Sequence, residues 1–233
     1  EKRDKSNKRY LGKSVLSVIA ENKNKFNLVG ISFNSNYSKA EEIINNFLPK
    51  YVYIDDHDCY VKNATNNGCT FLNGDSSLEQ LIKNTEIDII ICATSGFAGL
   101  KAASIAVTTG KKILLANKES IVAGGDLIMP LAKKHTSEII PIDSEHNAIF
   151  QCLSGENDTD DVQKVIITAS GGPFLNSSIS DLKNVTLNQA LNHPNWEMGN
   201  KVTIDSATLV NKCLELIEAK YLFNLEENIF ELV

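Results

Sequence analysis

Basic charge is in deficit in this sequence. Its 23 lysines and arginines stand against 29 acidic residues, a formal net charge of -6. A surface that grips a phosphate backbone is basic, so nucleic acid is not the expected partner. Long apolar runs are lacking as well. No stretch approaches the length of a membrane span, so no membrane is expected as a partner. The opening residues Glu1-Lys2-Arg3-Asp4 carry no apolar h-region, so no signal peptide is expected. Cysteine is sparse and odd in number. Cys59, Cys69, Cys92, Cys152 and Cys213 are scattered and form no C-x-x-C pair, which argues against a disulfide framework or a structural zinc site. A reducing compartment fits that usage.

What is present is alternation. After a polar run, Glu1 to Tyr10, expected to pack poorly, helical and strand patterns take turns. "KSVLSVIAENKNKF" has helical spacing, "NLVGISFN" reads as a strand, and "SKAEEIINNFLP" as a helix closed by Pro49. "KYVYIDD" is a strand, and "SSLEQLIKN" a helix with Ser76 or Ser77 as N-cap. "IDIIICATSG" and "KKILLAN" are continuous apolar strands, separated by a helix that Gly110 stops. Such strands alternating with helices predict a parallel α/β sheet covered on both faces. In the second half "DVQKVIITAS" reads as a strand and "SISDLKNVTLNQALN" as helical turns. "KVTID" reads as a strand leading into a helix that begins near Ser206.

Ligands of such sheets bind at the carboxyl ends of the strands. Those ends carry Asn34-Ser35-Asn36, Thr94-Ser95-Gly96 and Asn117-Lys118-Glu119-Ser120, as in a dinucleotide-binding half. No acid ends the "NLVGISFN" strand to hold a ribose 2'-hydroxyl, which tilts the reading toward NADP. Ordinary polar loop residues are an equal reading.

The stretch "EIIPIDSEHN" is the most informative. Read as an extended strand end, it points Asp143 and Glu145 the same way, and their charges then require a cation or a shared proton. A hard divalent metal answers the first case. On the last helix Asn211 and Lys212 share a flank with Glu215, while Cys213, Leu214, Ile217 and Leu222 are candidates for buried faces. With Asp205-Ser206-Ala207-Thr208 opening that helix, Lys212 would complete an anion site, or else form an exposed pair with Glu215. Ser170-Gly171-Gly172 is either a ligand-approaching turn or a plain glycine turn. His193-Pro194-Asn195-Trp196-Glu197-Met198-Gly199 holds the only tryptophan, as a core plug or a lid.

Together "LLANKES", "PIDSEHNAIFQCL", "ASGGPF", "HPNWEMG" and "IDSATLVNKCLELIEA" resemble the 1-deoxy-D-xylulose 5-phosphate reductoisomerases of non-mevalonate isoprenoid biosynthesis, from Leu11 onward. The resemblance implies a Rossmann-like parallel-sheet NADPH-binding domain over 1–139. An α/β catalytic domain follows over 140–233, and the full-length family is expected to form a homodimer. It implies conversion of a small sugar phosphate, 1-deoxy-D-xylulose 5-phosphate, to 2-C-methyl-D-erythritol 4-phosphate with NADPH and Mg²⁺ or Mn²⁺. Asp143, Glu145 and Glu215 resemble the metal ligands. Ser170, Ser206, Asn211 and Lys212 resemble the phosphate grip. Lys118, Ser144, Glu145, Glu215, His193 and Trp196 resemble substrate contacts, with Lys118, Glu145 and His193 catalytic and Met198 on the lid beside Trp196. Asn117, Glu119 and Gly199 match the nicotinamide end, and Asn34, Ser35 and Asn36 the 2'-phosphate pocket. The family reaction breaks and remakes a carbon–carbon bond on a metal-held substrate, then reduces an aldehyde. Bacterial cytoplasm and plastid both suit it.

The sequence departs from the family at both ends. Where the family has a first strand and a G-S-T-G-S-I-G loop, this chain reads "EKRDKSNKRYLGKSVLSVI", keeping only Gly12 at the motif's last glycine. At "NLEENIFELV" it stops before the further sheet and C-terminal helical domain of the family. An inactive fragment or degenerate copy that binds metal and sugar phosphate is the alternative expectation.

Overall fold

The computed structural model describes residues 11–65, 68–154, 161–196 and 198–233. The first ten residues, expected to pack poorly, and Glu197 lie outside them. The chain runs α1 (Leu11–Glu21), β1 (Gly30–Phe33), α2 (Tyr37–Phe47), β2 (Tyr51–Ile54), α3 (His57–Asn63), β3 (Thr70–Leu72) and α4 (Asp75–Lys83). It continues through β4 (Ile89–Cys92), α5 (Gly99–Ala106), β5 (Lys112–Leu115), α6 (Lys118–Lys134), β6 (Glu138–Pro141) and α7 (Ser144–Leu153). Then come β7 (Val165–Ile167), α8 (Ile179–Leu182), α9 (Leu187–Ala190), α10 (Asn200–Ala207), α11 (Val210–Phe223) and β8 (Phe230–Leu232).

All strand pairs among the described residues are parallel, in sheets ordered β1-β2-β3, β4-β5-β6 and β7-β8. This is the parallel α/β fold that continuous apolar strands require, because helices must cover both faces. One core is shared by the first two sheets, and the first has a further cluster of its own, Ile44, Val52, Ile54 and Cys69. Tyr53 and Leu81 pack in the same cluster as Cys92, Ile113, Leu115, Ile121 and Ile128. A third cluster, Val165, Ile167, Ala219 and Leu225, seats α11 on β7.

Helix α11 approaches α6 closely. A Cβ on Gly125 would lie 2.6 Å from the Tyr221 ring, and the Tyr221 hydroxyl donates to Asp126 Oδ1 at 3.0 Å. Glycine at position 125 therefore sets how near α11 can bring its own side chains to the start of α6.

Four local expectations are corrected. The N-cap of α4 is Gly74, not Ser76 or Ser77, which lie inside the helix. "KVTID" is helical: α10 starts after Gly199 and is held by an i,i+4 pair of Lys201 and Asp205 at 2.6 Å. The following helix starts not near Ser206 but at Val210, after Leu209 turns left-handed with φ 60°. On α11, Cys213 and Ile217 are exposed, and the buried face is Lys212, Glu215, Glu218 and Ala219.

Candidate active site

Strand β6 stops at Pro141, and Asp143 is the N-cap of α7, with Glu145 in its first turn. The strand-end alternation expected for these two acids is therefore overturned. Asp143 has extended φ/ψ (-52°, 134°) and makes no capping bond with its side chain, which leaves its carboxylate free to turn the same way as that of Glu145. A helix N-terminus also favours both negative charges.

The neighbouring strand delivers the next residues. In the parallel register Leu115 pairs with Pro141, so Asn117 and Lys118, at the start of α6, emerge beside Asp143. Helix α11 packs against both α6 and α7 and adds Asn211, Lys212 and Glu215. Ligand oxygens of Asp143, Glu145 and Glu215 lie within 4.8 Å of one another.

Two ammonium groups sit among these three carboxylates. Lys118 Nζ is 2.6 Å from Asp143 Oδ2, 2.9 Å from Glu215 Oε1 and 3.0 Å from Asn211 Oδ1. Lys212 Nζ is 2.5 Å from Glu145 Oε1 and 2.5 Å from Glu215 Oε2. Asn211 Nδ2 also donates to Glu215 Oε1, and Ser144 Oγ donates to Glu145 Oε2 at 2.6 Å. Burial disfavours the charged Lys118, but Asp143 and Glu215 outweigh it and raise its pKa. Burial likewise opposes an ionised Asp143, yet its contacts with His146 and Lys118 hold the carboxyl well below the usual range. Three carboxylates against two ammoniums leave one negative charge in a largely dry place, the electrostatics of a cation site.

A second group forms nearby in sequence. Ser170 Oγ is 2.9 Å from His193 Nε2. His193 Nδ1 accepts from the backbone N–H of Asn195 (3.2 Å) and Trp196 (3.0 Å). Burial lowers the His193 pKa. Gly172 has φ +67°, and a Cβ there would lie 2.7 Å from the Ser206 carbonyl oxygen, so the glycine turn seats directly on the end of α10. Asp205 and Ser206 thus lie at the carbonyl end of α10. The anion site expected from free N–H groups at 205–208 is not formed, and the hydrogen bonds of Lys212 go to Glu145 and Glu215. Trp196 is 64% exposed, which rules out a core plug.

A third group lies at the start of α6. Asn117 is buried: its Oδ1 caps α6 by accepting from Ser120 N at 3.0 Å, and its Nδ2 donates to Gly96 O and Glu119 Oε2, both at 2.9 Å. Glu119 Oε1 pairs with Lys201 at 2.7 Å, two residues past Gly199, the N-cap of α10. Asn117 and Glu119 are thereby joined, through Lys201, to the first turn of α10 that Gly199 caps. Asn34, Ser35 and Asn36 are exposed at the carboxyl end of β1, with Asn36 capping α2 through Lys39 N. Gly12 is in the first turn of α1, and a Cβ there would meet nothing within 4 Å among the described residues.

Two buried residues were not expected. His146 and Glu218 are fully buried behind the carboxylates. Each is three positions from an acid already singled out, Asp143 and Glu215, and that helical spacing was the available signal.

The family model described as 1-deoxy-D-xylulose 5-phosphate reductoisomerase matches residues 10–125, and the model of that enzyme's C-terminal domain matches residues 139–223. The 1-deoxy-D-xylulose 5-phosphate reductoisomerase of Ruthia magnifica subsp. Calyptogena magnifica is 43% identical over 217 residues, covering 92% of this chain and 56% of the relative. That of Clostridium novyi (strain NT) is 43% identical over 220 residues, covering 92% and 57%. The chain thus spans a little over half the length of these relatives. A crystal structure of DOX-P reductoisomerase in complex with NADPH, fosmidomycin and magnesium superimposes with TM-score 0.88 at 38% identity, covering 95% of this chain and 58% of the other. The Zymomonas mobilis enzyme in complex with NADPH gives 0.86 at 36%, covering 96% and 58%.

Proposed function

The chain belongs to the 1-deoxy-D-xylulose 5-phosphate reductoisomerase family, and from that membership we propose that it serves as an NADPH- and divalent-metal-dependent reductoisomerase. Its substrate would be 1-deoxy-D-xylulose 5-phosphate and its product 2-C-methyl-D-erythritol 4-phosphate. The observation that carries this reading is the convergence of Asp143, Glu145 and Glu215 oxygens within 4.8 Å, with Lys118 and Lys212 between them.

The donor set fits a hard cation. All three candidate ligands are carboxylates, the oxygen donors that such a cation prefers. Mg²⁺ or Mn²⁺ held by Asp143, Glu145 and Glu215 would supply Lewis acidity to adjacent substrate oxygens. Lys118 and Ser144 would orient those oxygens, and Glu145 would move a proton at one of them. Ser170, Ser206, Asn211 and Lys212 are the proposed phosphate grip; Gly172 donates its N–H to Ser170 Oγ at 3.3 Å and packs on the Ser206 backbone. In the substrate the phosphate is remote from the bonds that change, so its binding energy could serve to close the His193–Trp196 segment, and Met198 with it.

For the cofactor, Asn34, Ser35 and Asn36 form an exposed, carboxylate-free turn suited to a 2'-phosphate. Asn117, Glu119 and Gly199 would meet the nicotinamide end, with the Asn117 side chain acting through Glu119 because its own atoms are engaged. Gly12 would face the pyrophosphate. In this reading residues 1–139 hold NADPH and residues 140–233 hold metal and sugar phosphate, and the homodimer and cytoplasmic or plastid setting of the family are proposed with it.

One feature favours a second reading, in which metal and sugar phosphate bind without catalysis: Gly12 alone stands for a glycine loop. Metal-dependent NADPH oxidation on deoxyxylulose phosphate decides between them. Turnover abolished by Asp143→Asn supports the reductoisomerase. Binding of Mn²⁺ and substrate with no NADPH oxidation supports the second reading.

A further inference from the structure

We propose that His146 and Glu218 are a positioning pair that sets Asp143 and Glu215 for the cation, locking α7 to α11. The proposal rests on the metal-ligand reading above and adds two residues to it. Both are fully buried. His146 Nε2 is 2.8 Å from the Glu215 carbonyl oxygen. A carbonyl only accepts, so Nε2 carries a hydrogen and donates it. On its other edge, His146 Nδ1 faces Asp143 Oδ1 at 3.4 Å. One ring therefore touches the backbone of one proposed ligand and the side chain of another, on two different helices.

The division of labour at Asp143 follows. Its Oδ1 is turned inward to His146, while Oδ2 is the oxygen that meets Lys118 at 2.6 Å. Glu215 is divided the same way: its carbonyl accepts from His146 and its carboxylate faces Lys118 and Lys212. Behind the ring, Glu218 Oε2 lies 3.5 Å from Nε2, and Phe223 stacks on the imidazole at 6.5 Å between centroids and 12° between planes. The hydrogen bond to the Glu215 carbonyl sets the direction of the ring, and Phe223 flanks its face.

The three groups Asp143, His146 and Glu218 also have ligand atoms within 4.8 Å of one another, which raises a second metal site as the competing idea. The ring geometry decides against it. His146 addresses Asp143 with Nδ1 and Glu218 with Nε2, opposite edges of one imidazole, and Nε2 is committed to a carbonyl. The arrangement is a line of contacts, as partners behind metal ligands commonly form.

Titration of the full chain with Mn²⁺ alone, read by calorimetry and by the electron paramagnetic resonance spectrum of the bound ion, tests this without any assay of turnover. His146→Phe keeps a flat ring and removes both nitrogen contacts. It should weaken Mn²⁺ binding by roughly 10–100-fold and alter the spectrum at saturation. His146→Gln, whose amide N–H can reach the same carbonyl, should restore most of the affinity. Glu218→Ala should lose on the order of tenfold. A purely structural role would lower the melting temperature of the metal-free protein but leave the Mn²⁺ spectrum unchanged. Parent-like affinity and spectrum in His146→Phe, or in Glu218→Ala should the phenylalanine variant not fold, overturn the proposal if Asp143→Asn has lost Mn²⁺. If Asp143→Asn binds Mn²⁺ like the parent, the metal reading itself fails. Two Mn²⁺ per chain would replace the positioning pair with a second site.

Discussion

Lys212 Nζ lies 2.5 Å from Glu145 Oε1, joining the first turn of α7 to the first turn of α11 across 67 positions of sequence. Lys118 makes the matching contact from α6 to Asp143. Without a metal, the three carboxylates are held together by lysines. A cation held by the same carboxylates, as proposed above, would compete with both lysines for that negative charge.

Lys212→Met tests that exchange. Removing one partner of a buried pair leaves uncompensated charge, and the metal-free chain should lose on the order of 3 kcal/mol. Added Mn²⁺ should then stabilise the variant more than it stabilises the parent, because no ammonium competes. Thermal melts with and without Mn²⁺ give both numbers. Equal metal-induced changes in melting temperature in the two proteins would contradict competition at this site.

Gly172→Ala probes the seat of the glycine turn on α10. The new Cβ would meet the Ser206 carbonyl at 2.7 Å and the position has φ +67°. Both partners are backbone, so neither can swing aside. A loss of about 2–4 kcal/mol is expected, from left-handed strain plus overpacking. Denaturant titration checks it, and Gly12→Ala, in open space, is the control expected to change stability by less than about 1 kcal/mol.

Burial, with the charges of Asp143 and Glu215 added, pushes Glu218 up to about 7. His146 is also raised, its burial outweighed by Asp143 and Glu218. Both groups bind more protons folded than unfolded, so their contribution is complete below the unfolded pKa and is lost as pH rises through the folded one. For Glu218 that window runs from about 4.5 to about 7. The metal-free protein should lose about 3 kcal/mol across it, because holding one extra proton is worth about 1.4 kcal/mol for each pH step of one. Glu218→Gln should flatten the profile. Urea melts at several pH values measure it, and an unchanged slope in the variant would remove Glu218 as the cause.

Much of this molecule is legible in its sequence, for identifiable reasons. Continuous runs such as Ile89–Cys92 and Lys112–Leu115 are strands because both faces are covered, and the parallel fold follows. The pairing of Asn211 and Lys212 with Glu215 follows from helical spacing alone. "KVTID" misleads because its β-branched alternation imitates a strand, while Gly199 as N-cap and the Lys201–Asp205 pair make it helical. The Asp143–Glu145 pair illustrates a right convergence reached by a wrong route, since Pro141 ends the strand before either acid. His146 and Glu218 stay hidden because their meeting depends on the packing of α7 against α11, which no local pattern encodes.

His193 offers the most direct optical test. Its Nδ1 accepts two backbone N–H groups, from Asn195 and Trp196, so the hydrogen of the neutral ring is on Nε2 and points to Ser170. Protonating Nδ1 would abolish both acceptor contacts, consistent with burial lowering the pKa. The neutral form therefore stabilises the turn at higher pH, and that contribution is lost as pH falls through and below the usual histidine range. Trp196 is the only tryptophan, so its emission reports this turn without interference. Emission should shift on acidification in the parent and be pH-insensitive in His193→Ala. The alanine variant should also bind a sugar phosphate about tenfold more weakly, the loss of one or two hydrogen bonds at about 1 kcal/mol each. A pH-dependent change in emission that persists in His193→Ala would place the titrating group elsewhere, and unchanged sugar-phosphate affinity would remove His193 from the proposed substrate contacts.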